Sequence, residues 1–81
     1  MAVEPAVDGI CRTYADKLVV LCDRASAPLT AWHLKAFNNR DAFVALCAAD
    51  EAFATMTPDR LTALQTAVNN AGDCAQLRDT L

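Results

Sequence analysis

The sequence predicts an all-α fold, a compact bundle of four to five short helices. Three observations carry that prediction. Apolar residues recur at three- and four-residue intervals in each segment. Residues suited to capping helices stand where the periodicity breaks. No run of alternating β-branched residues is present to build a strand. Eighty-one residues, 54% of them hydrophobic and 21% charged, with 2 Gly and 3 Pro, suit residues 1–81 folding as a single helical domain near the size where small proteins begin to need staples.

The first and longest helix is expected over about residues 6–25. Val7, Ile10, Cys11, Tyr14, Leu18, Leu21, Cys22 and Ala25 fall on one broad face, while Arg12, Asp16 and Asp23 gather opposite. Asp8 is a good N-cap and Gly9 weakens a helix interior, so they blur where this helix starts. SAP at 26–28 breaks the pattern, and a shorter helix follows over about 29–38. Asn38 and Asn39 stop it, with Asn39 placed to cap the next helix.

A third helix is expected from Arg40 to about Met56, its apolar face made by Phe43, Leu46, Cys47, Phe53 and Ala54. Alanines 45, 48, 49 and 52 fill its flanks at low bulk. TPDR at 57–60 is the clearest boundary: Thr57 can accept orphan amide bonds, Pro58 suits the first turn, and Asp59 complements the positive end of the helix dipole. In the fourth helix Leu61, Leu64, Ala67, Val68 and Ala71 face the core, and Gly72 stands where a left-handed stop belongs. Asp73 and Gln76 resemble a capping box opening a last turn or two, with Cys74, Leu77 and Leu81 on one side.

Ten acidic and 7 basic residues, for a net charge of −3, are interleaved without a single-sign block, which argues against a nucleic-acid partner. The N-terminal stretch MAVEPAVDG lacks a basic region followed by an apolar run, and no segment approaches membrane-spanning length. Taken alone, these features favour a soluble, cytoplasmic protein with reduced thiols. Four cysteines in so short a chain point the other way, since an even count is what a secreted, stapled domain shows.

Cys11 and Cys22 share a helix face but stand about 16 Å apart along the axis, and a disulfide needs Cα atoms within about 7 Å. A bond between them is therefore ruled out if the first helix is continuous. Two pairings remain open, Cys11–Cys47 with Cys22–Cys74 or Cys11–Cys74 with Cys22–Cys47, alongside four buried, reduced thiols. No metal site is expected, because no CxxC or HxxxH pair accompanies His33, the only histidine. No catalytic pair is visible either: the cysteines lie on apolar faces, His33 falls at the edge of the short helix's core face, and Asp50 has no second carboxylate at helical spacing. Asp50 is expected at a rim, paired with an Arg or a helix amide.

The stretch FVALCAADEAFATM resembles the middle helix of elicitins, and the spacing of Leu46–Cys47, Met56–Thr57 and Cys74 is similar to secretoglobins; both are families of small secreted helical proteins. The chain departs from each: Ala52 stands where elicitins carry a second cysteine, and secretoglobins have no counterpart to Cys22. Neither family is assigned.

An inventory empty of chemistry points to a non-enzymatic protein-binding module without cofactor, such as a small adaptor, inhibitor or effector. The alternative is a secreted, disulfide-stapled helical protein that binds a partner or an apolar ligand between its helices. Candidate partner-binding residues are Trp32, which projects away from the Leu34–Phe37 stripe, Val20 on the outer side of the first helix beside Val19, and the adjoining Lys35 and Asn39. The competing place for Trp32 is the core, packed with Leu29 and Ala36. Another protein is the expected partner, and a homodimer is compatible with these features.

Overall fold

In the computed structural model, residues 5–23, 25 and 29–81 are described, and they form five α-helices and one 3₁₀ turn. The helices are α1 (Pro5–Leu21), α2 (Ala31–Asn38), α3 (Arg40–Ala48), α4 (Pro58–Asn70) and α5 (Cys74–Thr80), with the 3₁₀ turn at Glu51–Thr55. No described residue is in a strand. The Cα radius of gyration is 12.0 Å, close to the ~12 Å expected of a folded chain of this length.

Cap chemistry explains where these elements begin. Asn39 accepts at its side-chain oxygen from the Ala42 N–H at 3.1 Å, Thr57 from Arg60 at 3.2 Å and Asp73 from Gln76 at 2.8 Å. Each bond satisfies an amide that the first turn cannot. Thr30 and His33 make a further capping box that the sequence signals did not reveal, because His replaces the usual Glu or Gln at the third helical position. At α5 the reciprocal bond is displaced by one residue: Gln76 Oε1 accepts from Gly72 N–H at 2.7 Å, not from Asp73.

Helix α1 is the centre of the bundle, packing most extensively on α3 and α4 and also touching α2 and α5. Side-chain pairs define the registers. Cys11 joins Cys47 near the end of α3 and Asp16 pairs with Arg40 at its start, so α1 and α3 run antiparallel. Gln65 Nε2 donates to Thr13 Oγ1 at 3.4 Å, and Lys17 Nζ donates to the carbonyls of Val68 and Asn69 at 2.9 and 2.7 Å, so α1 and α4 run parallel. The lysine thereby sits on the negative end of the α4 dipole and caps two terminal carbonyls.

Of the predicted α1 face, Val7, Ile10, Cys11, Tyr14, Leu18 and Cys22 are buried, Leu21 is half-buried and Ala25 is exposed. The helix ends at Leu21, short of the expected residue 25, and Asp23 Oδ1 accepts from Ala25 N–H at 2.8 Å in an Asx turn. The SAP break at 26–28 lies outside the described residues.

The expected third helix over 40–56 is instead α3 followed by the 3₁₀ turn. Asp50 separates them, its extended backbone and side chain capping Ala52 N–H at 2.9 Å. This is the rim position bonded to a helix amide that the sequence suggested. The break also uncouples the two halves of the expected apolar stripe: Phe43, Cys47 and Phe53 are buried, but Val44 replaces Leu46, which is 48% exposed, and Ala54 is exposed. Similarly, in α4 Leu61, Val68 and Ala71 are buried, Leu64 is half-buried and Ala67 is exposed. Gly72 takes no left-handed conformation, because Ala71 ends α4 with extended backbone that leads directly into the Asp73 cap.

All four cysteines are paired, Cys11–Cys47 with Cα atoms 5.8 Å apart and Cys22–Cys74 with Cα atoms 5.1 Å apart. The expectation of four reduced thiols and the alternative pairing Cys11–Cys74 with Cys22–Cys47 both give way to this arrangement. Its physical reason is the helix order: the antiparallel α3 brings Cys47 to the first half of α1, and α5 follows the parallel α4 to the far end, where Cys22 lies.

Candidate functional site

An open apolar groove of about 410 Å³ lies among α2, the 3₁₀ turn and the end of α5. Trp32, Phe53, Met56 and Leu81 supply its apolar wall, with Asp50 and Thr80 as polar members. Its shape comes from local chemistry already described. The Asp50 cap turns the chain into the 3₁₀ segment, which drives Phe53 inward, and the extended backbone at Met56 leads away to α4.

Trp32 is half-buried, partly in the core and partly at the groove. Its ring lies 4.7 Å from that of Phe43 and 5.8 Å from that of Tyr14, so it packs on the core, yet it also lines the groove. Ala36 is buried and Leu29 half-buried. Val20 is 79% exposed and Val19 43% exposed, forming an apolar patch on α1. Val20, Lys35 and Asn39 do not line the groove. Lys35 and Asn39 are exposed, and Asn39 is engaged as the cap between α2 and α3. The structure therefore separates the four candidates: Trp32 lines the groove, while Val20 lies on the exposed side of α1.

Tyr14 and His33 pack their rings beside Trp32, an arrangement that no local sequence pattern revealed. Tyr14 is fully buried at the centre of the aromatic core, its ring stacked on Phe43 at 5.9 Å with an interplanar angle of 10° and on His33 at 6.4 Å. Its hydroxyl is buried with no hydrogen-bond partner, as is Nε of Arg78 on α5. Burial pushes the Tyr14 phenol up to about 12, against a smaller downward pull from the Arg78 charge. Burial also depresses the His33 imidazole, and the Arg78 charge lowers it further. His33 Nδ1 accepts from the Thr30 backbone N–H at 3.1 Å, which leaves the proton of the neutral ring on Nε2.

Both bridges engage every thiol, leaving none as nucleophile or metal ligand. Among the described residues, no group of three or more His, Cys, Asp or Glu is placed to hold a metal ion, and no helix is long and apolar enough to cross a membrane. The chain matches no family model, no curated protein and no solved structure.

Proposed function

We propose that this chain is a non-enzymatic, disulfide-stapled module that binds another protein through a helical surface, with the Trp32 groove receiving an apolar side chain of the partner. The observation that carries the reading is the groove itself. A large aromatic rooted in the core presents one side to an open apolar cavity, the arrangement typical of an interface anchor site. Asp50 and Thr80 at the groove add hydrogen-bonding groups that can orient what enters. The paired cysteines support an oxidising compartment, and so a secreted protein.

Selection from a displayed peptide library tests this reading. Wild-type protein should enrich peptides sharing an apolar anchor residue, and Met56→Glu and Leu81→Glu, which charge half-buried and exposed walls of the groove, should each lose them. Failure to enrich a common motif, or enriched peptides that bind both variants as well as wild type, rejects the groove as the binding surface.

A second reading is supported by the cavity volume, which falls in the range of about 300–1,000 Å³ usual for small-molecule sites. In that case an apolar ligand occupies the groove between the helices. Titration with a fluorescent apolar probe separates the two: probe binding lost in Met56→Glu, without peptide enrichment, favours the ligand.

A further inference from the structure

We propose that the partner carries an acidic residue beside its apolar anchor, and that Arg60 receives that carboxylate in a second cavity adjoining the Trp32 groove. The inference rests on the groove being the peptide-binding surface, and it names the chemistry of what binds there. The second cavity, open and of about 250 Å³, lies between the first half of α4 and the end of α5, lined by Met56, Arg60, Ala63, Leu64 and Thr80. Met56 and Thr80 also line the first groove. The two cavities therefore share a wall, and a single bound segment can reach into both.

The two cavities carry opposite charge. Asp50 belongs to the first alone and Arg60 to the second alone, and no described carboxylate lines the second. Arg60 is exposed, and among the described residues its guanidinium makes no ion pair or hydrogen bond, whereas Arg12 and Arg40 are matched to Asp8 and Asp16. Its planar fork of donors is therefore open to a carboxylate, the group whose geometry it fits. On the shared wall, the Thr80 hydroxyl already donates to the Leu77 carbonyl at 2.7 Å, so its oxygen is left to accept, as from a backbone N–H of the partner. Asp50 uses Oδ1 to accept from Ala52 N–H and keeps its negative charge at the first cavity. An acid is thus attracted to the second cavity and repelled from the first, which fixes the direction in which the segment lies.

The experiment selects displayed peptides on the oxidised protein and on two Arg60 variants, both expected to fold because the exposed guanidinium holds no described partner. Wild type should enrich an acidic residue at a fixed spacing from the apolar anchor. Arg60→Gln should keep the anchor and lose the acid, and Arg60→Glu should select a basic residue at the same spacing. In solution, replacing the acid of an enriched synthetic peptide by its amide should weaken binding to wild type about two- to fivefold, the range of an exposed ion pair. High salt should shrink that difference, and Arg60→Gln should not show it. An anchor without an acid at fixed spacing, or an acid preference that survives Arg60→Gln, overturns this proposal and leaves the groove reading standing. Absence of any common anchor overturns both.

Discussion

His33 accepts the backbone N–H of Thr30 through Nδ1 at 3.1 Å while Thr30 Oγ1 faces the His33 N–H at 3.4 Å, so one residue pair closes the start of α2 in both directions. The imidazole also stacks on the buried Tyr14 ring. A side chain thus serves the cap and the aromatic core at once.

That pair makes stability depend on pH in a defined direction. Burial holds the folded-state His33 below its ordinary value of 6.5. The unfolded chain therefore binds the proton first, and stability that is present above pH 6.5 is lost as the pH falls toward the folded-state value. Protonation at Nδ1 also removes the acceptor for Thr30 N–H. Urea midpoints should be lower at about pH 5.5 than at about pH 7.5, and His33→Gln should lack most of that difference. Asp16, held down chiefly by its hydrogen bond from Arg40, begins to act only below its ordinary value of 3.8, outside this window. Equal pH dependence in wild type and His33→Gln would show that another group is responsible.

The two bridges close loops of 36 and 52 residues, for which chain-entropy estimates give about 4 kcal/mol each. A domain of this size has total stability of about 4–12 kcal/mol. Reduction of both bridges should therefore unfold most of the protein, seen as loss of far-ultraviolet helical signal on adding a thiol reductant. A reduced protein that melts with the oxidised one would show that the apolar core suffices by itself. Peptide mapping without reduction should recover Cys11 linked to Cys47 and Cys22 linked to Cys74.

Trp32→Ala should destabilise the fold by about 3 kcal/mol, at the low end for removing a large core aromatic because part of the indole faces the groove. A thermal melt with tyrosine and far-ultraviolet detection reads the loss. A midpoint within a degree or so of wild type would mean that Trp32 contributes to the surface alone.

Gly9 lies inside α1 with no left-handed backbone, and a Cβ there would meet only Gln65 Oε1, at 3.5 Å, an ordinary contact. Gly9→Ala should therefore stabilise the protein by about 0.5–1 kcal/mol through helix propensity. A loss in chemical denaturation would mean that the α1–α4 contact is tighter than this geometry allows.

The sequence by itself determined the helices and most of their caps. Periodicity and cap chemistry act over a few residues, so Asn39, Thr57, Asp73 and the inward face of α1 were legible without knowing any neighbour. Asp50 shows where local reading stops: it is legible as a rim acid paired with an Arg or a helix amide, but not as the break that turns one expected helix into α3 and a 3₁₀ turn and sends Leu46 outward. Tertiary structure alone chose between the two disulfide pairings, because that choice depends on α3 running antiparallel and α4 parallel to α1. It alone separated Trp32 from Val20, made the groove, and brought the Tyr14 and His33 rings together. These are relations between helices, and they follow from how the whole core packs, which no single helix face encodes.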